Sequence, residues 1–397
     1  MMEHPELVQS IRDEIKRDGP IPFARFMELA LYHPRHGYYG GGRAAIGRRG
    51  DFFTNVSVGP LFGKLLAAQF AEIWEKLGEP DEFTIVEQGG HDGVFAADVL
   101  KALRQSQGEC FAATCYVMVE PFLVWRERQQ KNLRAFSRKA YWADSLDQLA
   151  PLVGVHFSNE LFDSLPVHLI VSTGVANGRT DWKEKFVTVR DNDFAFTTGE
   201  LSHPELRLDD FGFFPAGFET EVSVDAPRLM RGIASKLSRG VILTIDYGFV
   251  RPEFYSRQRG EGSLQIRARQ KKLSSPFEQI GLADISAHVE WTSVAEAAQS
   301  CEAKLVGFTD QHHFLTGIVS TFFANTEFKF SEKRALQTLL HPEMLGRNFQ
   351  VLALGKNFSE ELGGFRFARD PVTELGIRVA IPNRAGDEGS HGRNVSS

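Results

Sequence analysis

The chain has 397 residues, enough for one large α/β domain with insertions or for two domains. An apolar share of 42% and a charged share of 24% are those of an ordinary globular protein and exclude a fibrous or wholly disordered one. A net charge of −6 argues against a general nucleic-acid binder, and no apolar run approaches the ~20 residues of a membrane span.

Residues 6–18 place Leu7, Val8, Ile11 and Ile15 at helical spacing, and Gly19-Pro20-Ile21-Pro22 ends that helix. A second helix, about 23–31, runs into Tyr32-His33-Pro34-Arg35-His36-Gly37-Tyr38-Tyr39. Residues 40–50 are rich in glycine and arginine and, with the segment 50–55, read as an irregular loop able to act as a lid. A helix over about 60–77 follows, so residues 1–80 are expected to form a helical N-terminal extension. Glu3, Glu6, Asp13 and Glu14 make the N-terminus unlike a signal peptide or an acid-poor transit peptide. Cys110, Cys115 and Cys301 fit neither a zinc spacing nor a disulfide framework, which predicts reduced thiols and a cytoplasmic protein.

From residue 83 the pattern alternates. Strands are predicted at 84–87, 115–120, 139–142, 155–159, 241–247, 304–308 and 349–355, with helices at about 94–103, 121–132, 227–237 and 293–303. Such alternation implies an α/β fold, a parallel doubly wound sheet covered on both faces. About 80 residues separate the fourth and fifth strands, too many for one crossover, and 186–190 and 193–197 alternate like a hairpin inside them. The expected organisation is a core domain at 81–356 with insertions at about 166–226 and 249–284, the second rich in Lys and Arg, then a C-terminal extension at 357–397 with a disordered tail.

The first strand leads into Glu87-Gln88-Gly89-Gly90-His91-Asp92-Gly93, a glycine turn that opens a helix. Glycine there permits positive φ and close approach of a ligand to backbone, and the first helical N–H groups face that ligand. In an open α/β sheet, ligands bind beyond the carboxyl ends of the strands. Those ends carry Glu87, Glu120, Asn159-Glu160 and Asp246-Tyr247, with Asp144 just after the third strand. An acid at the second strand end can accept from two vicinal ribose hydroxyls. Glu120 lies 27 residues past Gly93, beyond the usual dinucleotide spacing of about 20. Glu87 and Asp92 would repel a diphosphate, which disfavours a nicotinamide dehydrogenase and favours a cationic nucleoside such as S-adenosylmethionine.

The turn at residues 87–93 resembles the first motif of class I methyltransferases. His33-Pro34 with Gly37-Tyr38-Tyr39, Gly50-Asp51-Phe52-Phe53-Thr54, residues 158–167, Ile245-Asp246-Tyr247-Gly248, residues 284–289 and residues 345–352 together look like the MidA family, which includes the mitochondrial complex I assembly methyltransferase. The resemblance spans roughly residues 5–356. It implies a Rossmann-like seven-stranded sheet, S-adenosyl-L-methionine as cofactor, and a protein arginine as acceptor. His91 stands where the family has its middle glycine, and Thr54-Asn55-Val56-Ser57 stands where it reads Thr-Ser-Pro-Glu.

The resemblance implies a cofactor site of Tyr38, Thr54, Glu87, Gly89, Gly90, Gly93, Glu120, Asp144, Ser145, Leu146 and Asn159, with Glu120 on the ribose and residues 144–146 beside the adenine. Arginine is always protonated and has no free lone pair, so Asn159, Glu160 and Asp163 are the expected catalytic residues that hold it and relieve it of a proton. Glu160 and Asp163 would share one side of a helical turn. His33, His36 and His288 read as structural rather than basic groups, and His312-His313 lacks an acid cluster, so no metal is expected. The expected partner is a protein substrate, a respiratory-complex subunit or its homologue. A homodimer, and no nucleic acid or membrane, complete the expectation. A catalytically silent assembly factor that keeps the fold is the alternative.

Overall fold

A computed structural model describes residues 4–44, 54–208, 212–269 and 271–377. The lid loop expected at 40–55 and the tail after 377 therefore lie largely outside the described residues. The central sheet runs, from one edge to the other, Lys304–Asp310, Phe349–Lys356, Leu237–Phe249, Leu152–Asn159, Phe83–Gln88, Thr114–Val119 and Ala140–Ala143. A two-residue strand, Val289–Glu290, pairs beside Leu237–Phe249 as an eighth member. All seven strands expected from the sequence are present. The sheet is not wholly parallel, because Phe349–Lys356 runs antiparallel to both of its neighbours.

Strand order reverses next to Phe83–Gln88. The chain first builds outward through Thr114–Val119 and Ala140–Ala143, then returns to place Leu152–Asn159 on the other side. The carboxyl ends of Phe83–Gln88 and Leu152–Asn159 thus flank the switch point, where the sheet leaves a crevice between diverging connections.

The sheet's own alternation sorts its side chains. In Leu237–Phe249, Val241, Leu243 and Ile245 join one apolar layer and Ile242 joins the other. The first layer is closed by Leu61–Lys76, Val94–Ser106 and Gln311–Phe322, and the second by Asp225–Lys236 and Trp291–Gln299. The helices Gln311–Phe322 and Phe330–Leu340 were not anticipated. Phe157 and Phe95, stacked 4.7 Å apart, show how tightly the first layer closes under the crevice. Truncating a buried Phe of this kind costs about 3–5 kcal/mol.

Between the fourth and fifth core strands, His168–Ala176, Arg179–Arg190, Asp193–Gly199 and Glu219–Val222 form a separate antiparallel sheet. Asp191 and Asn192, both at positive φ, make the hairpin turn that joins its second and third strands. Ile21–Pro22 adds an edge to this sheet through Val187 and Phe186, so the N-terminal segment is stitched to the insertion. Leu7, Ile11, Phe23, Phe26 and Met27 pack into a shared core with Val167, Val187 and Ile285. Residues 249–284 add a small antiparallel sheet, Gln265–Ala268 between Lys271–Lys272 and Asp284–Ser286. Among the described residues no helix is long and apolar enough to cross a membrane.

Candidate active site

A cleft of about 520 Å³ opens at the switch point, within the range of small-molecule and cofactor sites. Its lining includes Thr54, Glu87, Gly89, Gly90, Glu120, Asn159, Glu160 and Asp163, eight residues named from the sequence. Gly93 sits behind the lining, in left-handed conformation, as the cap of Val94–Ser106. Tyr38, Asp144, Ser145 and Leu146 do not line the cleft. Tyr38 is buried in the N-terminal core, and its neighbour Tyr39 faces the cleft instead. Asp144 is bound by Arg126 and Gln148, and Leu146 packs toward the helix Asp225–Lys236.

At the cofactor end, Glu87 is 4% exposed and accepts a hydrogen bond of 2.8 Å from the buried Tyr116 hydroxyl. Burial pushes its carboxyl up to about 7, against the Tyr116 bond, and Asp92 adds to the rise. Gly90 leaves room for its neighbours: an added Cβ would fall 2.4 Å from Met118 Cε and 2.8 Å from the Glu87 carboxyl carbon, so a side chain here would displace the Glu87 carboxylate or Met118. Glu120 Oε1 accepts from the Phe122 amide at 3.0 Å and Oε2 from Gln129 at 3.2 Å. A carboxylate has about four lone-pair sites, so two are left for a ligand. Burial raises Glu120 to about 7, opposed by these two bonds and by Arg126.

His91 replaces a glycine at a position with φ of +43°, and its contacts explain why the side chain is there. Its ring lies 4.2 Å from the Trp125 ring, and Nε2 is 3.1 Å from the Ala44 carbonyl oxygen. Trp125 donates to the Tyr39 carbonyl and Arg128 to the Gly42 carbonyl. Together they pin residues 39–44 over the glycine turn. Gln129, which also donates to the His91 carbonyl at 2.8 Å, holds the strained backbone in place.

The opposite end is an acid cluster. Leu152–Asn159 ends on Asn159, and Glu160 follows in left-handed conformation with φ of +55°. Residues 161–166 form a turn flanked by bends, without a helical turn beginning at Glu160. What makes Glu160 and Asp163 share a side is Asp246, whose Oδ2 accepts the amides of Leu161, Phe162 and Asp163 at 3.1, 2.8 and 3.2 Å. Its Oδ1 accepts the Tyr247 amide at 2.8 Å. The turn is wrapped around a carboxylate.

Burial raises Glu160 to about 8, with Asp163 adding to the rise and the hydrogen bonds from Asn159 and the Asn55 amide opposing it. Burial raises Asp163 to about 6, opposed by the Tyr247 hydroxyl that donates to it. Burial, Asp163 and Glu160 all push Asp246 upward, while its four backbone donors favour the charged form. Tyr32 donates to Ser164, and Tyr39 donates to Asp284 at 2.6 Å. Tyr32, Tyr39, Tyr247 and Asp284 all line the cleft and were not named as site residues from the sequence. Asp246, Tyr247 and Asp284 stand inside motifs that were noticed, but a motif does not say which of its members faces a ligand.

His91 lines the cleft, whereas His33, His36, His288, His312 and His313 do not. His33 Nδ1 accepts the His36 amide, and His288 Nδ1 lies 2.8 Å from Arg259. His4, Glu6 and His36 are the one group of three metal-capable side chains brought together among the described residues, away from the cleft on the N-terminal face.

A family model described as "Putative S-adenosyl-L-methionine-dependent methyltransferase" matches residues 65–309. The protein arginine methyltransferase NDUFAF7 homolog, mitochondrial, of Drosophila melanogaster is 29% identical over 75% of this chain and 71% of its own length. The protein arginine methyltransferase NDUFAF7, mitochondrial, of Homo sapiens is 24% identical over 92% of this chain and 86% of its own. A solved COG1565 superfamily structure from Burkholderia thailandensis, bound to S-adenosyl-homocysteine, is 31% identical with a TM-score of 0.84, covering 93% of this chain and 96% of that one.

These relatives correct the expected location. The fly, zebrafish and human proteins are all named as mitochondrial, which overturns the cytoplasmic assignment. Free thiols indicate a reducing environment and do not choose between compartments that share one. The cleft at the switch point and the match to residues 65–309 meet on one conclusion: the chain belongs to the MidA-like family of S-adenosyl-L-methionine-dependent methyltransferases.

Proposed function

We propose that this methyltransferase acts on arginine in a protein, with Glu160 and Asp163 holding the acceptor guanidinium. One observation carries the reading. The cleft is lined by Glu87, Asp92, Glu120, Glu160, Asp163 and Asp284, and among the described residues neither a lysine nor an arginine lines it. Such a wall suits a cationic cofactor at one end and a cationic acceptor at the other. The names of the fly and human relatives support arginine as that acceptor.

The residues fit S-adenosylmethionine. Gly89 and Gly90 offer bare backbone, Glu87 and Asp92 offer charge opposite to the sulfonium and ammonium, and Glu120 keeps free lone pairs for ribose hydroxyls. Thr54 and Tyr39 border the same space. Once bound, the cofactor supplies an electrophilic methyl group whose bond to sulfur leaves its electron pair on sulfur.

The chain's part is alignment and proton removal. A guanidinium arriving between Glu160 and Asp163 favours their charged forms, because an opposite charge lowers a raised carboxyl pKa. Two carboxylates can hold its planar fork and direct one nitrogen toward the cofactor end. Glu160, the more basic of the two, takes the proton that this nitrogen releases as its new bond to carbon forms. Asn159 steadies Glu160 through a 2.9 Å hydrogen bond to Oε1.

The acceptor protein in this reading is a respiratory-complex subunit or its homologue, supported by the family resemblance, and the enzyme is a homodimer, which light scattering would check. The test of function is amino-acid analysis of an undermethylated protein extract after incubation with methyl-labelled cofactor. Label in methylarginine, lost in Glu160→Gln and Asp163→Asn with S-adenosylhomocysteine binding kept, is the expected result. Label confined to another residue type overturns it.

A further inference from the structure

We propose that Asn55 is a positioning residue of the acceptor site: brought in by the N-terminal segment, its side-chain amide orients Asn159 and thereby fixes which oxygen of Glu160 is the less encumbered for the acceptor. The proposal rests on the arginine reading.

Asn55 opens the short 3-10 turn Asn55–Val58 and is fully buried, yet it does not line the cleft. Its Nδ2 donates to Asn159 Oδ1 at 2.8 Å, and Asn159 Nδ2 donates to Glu160 Oε1 at 2.9 Å. The two amides therefore form a chain that ends on a carboxylate. Only one orientation of the pair suits the charged form of Glu160. Turning Asn159 over would set its oxygen against Glu160 Oε1, and turning Asn55 over would set two amide oxygens face to face.

A second arm acts on Glu160 directly, because the Asn55 backbone amide opposes the rise of its carboxyl pKa. Meanwhile Asn55 Oδ1 is buried with no hydrogen-bond partner among the described residues. A buried polar atom without a partner opposes folding. An apolar residue would avoid that cost if this position only filled space.

Glu160 needs such support. It stands in a left-handed conformation that disfavours a residue with a side chain, and other acids crowd it. Asp163 lies on its own turn, Asp246 and Tyr247 come from Leu237–Phe249, and Asp284 comes from the strand Asp284–Ser286. With one lone pair of Oε1 taken by Asn159, Oε2 is the less encumbered oxygen for an acceptor nitrogen. Asn159 can hold that orientation only while Asn55 fixes its own amide.

The test uses the full chain with S-adenosylhomocysteine bound, comparing wild type with Asn55→Leu, which keeps the volume, and Asn55→Ala, which cannot clash. Carbon-13 carboxyl NMR follows the Glu160 titration, assigned by its loss in Glu160→Gln. Both variants should titrate Glu160 at higher pH than wild type, since the charged form loses a fixed donor. Methylarginine formation in undermethylated extract should fall about tenfold near neutral pH and recover at higher pH, with cofactor affinity within about twofold. An unchanged Glu160 titration and an unchanged rate in Asn55→Leu overturn the proposal, and Asn55→Ala decides it if the leucine variant does not fold. A wild type that transfers no methyl to arginine sinks the functional reading instead, while the titration still decides the role of Asn55.

Discussion

The Tyr247 hydroxyl donates to Asp163 from the neighbouring strand, so the floor of the acceptor site is braced from Leu237–Phe249 as well as from its own turn. Removing that donor leaves the Asp163 carboxylate less well supported. Tyr247→Phe should raise the Asp163 pKa further above about 6, and should lower kcat by roughly 10–100-fold, the worth of a hydrogen bond to a charged group. The acid limb of the rate profile should move to higher pH, and cofactor affinity should not change. Rate measurements on both sides of neutral pH check it, and a uniform loss at every pH would mean Tyr247 acts only through packing.

Glu120 makes a separate prediction about the cofactor. If its free lone pairs accept ribose hydroxyls, Glu120→Gln should weaken S-adenosylhomocysteine binding by about 10–100-fold, since one charged acceptor becomes a donor. Wild-type affinity should fall as pH drops through about 7, where this carboxyl takes up its proton. Calorimetric titration about one pH unit below and above that point reads both effects. Equal affinities at the two pH values would exclude Glu120 from the ribose.

The buried acids also set how the ligand-free protein responds to pH. Glu87 and Glu120 titrate near 7 and Glu160 near 8, all raised above the ordinary 4.5, so the folded state holds these protons more tightly than the unfolded chain. Stability from this source is full below about pH 4.5 and is lost as pH rises through 7 to 8. Every tenfold gain in proton affinity on folding contributes on the order of 1.4 kcal/mol. The unfolding midpoint should therefore fall as pH rises from about 6 to about 8, and S-adenosylmethionine should raise it more at the upper end, where its cation meets charged carboxylates. Differential scanning calorimetry would show the reverse trend if these acids stay ionised throughout.

His91→Gly separates backbone strain from contact. Glycine removes a left-handed penalty of about 1–2 kcal/mol and restores the family's residue, but it also removes the ring on Trp125 and the link to Ala44. Amide exchange should speed up at residues 39–44 and stay unchanged along Val94–Ser106. Equal protection of residues 39–44 in both proteins would leave the strap to Trp125 and Arg128 alone.

Much of this molecule was legible because period and punctuation agree. Seven strands, the glycine turn and the strand-end acids follow from local pattern and from the geometry of open α/β sheets. Three things were not legible. The antiparallel course of Phe349–Lys356 depends on a connection through two helices that pattern alone did not delimit. The turn after Asn159 looks helical by spacing, and only the remote Asp246 carboxylate converts it into a loop. Tyr38 and Tyr39 are adjacent and alike, and burial of one against the N-terminal core decides which faces the ligand. Only in the second case is the deciding partner distant in sequence, and in the other two it is packing that local pattern does not encode.

The N-terminal strand Ile21–Pro22 closes an edge of the insertion sheet, and the same segment goes on to deliver Tyr39, Thr54 and Asn55. Closing so long a stretch of chain costs conformational entropy that the docking contacts must offset. One wall of the cleft therefore depends on an edge strand of only two residues. Release of that edge would withdraw Asn55 from Asn159 and Tyr39 from Asp284 while leaving the pairings of the core sheet in place.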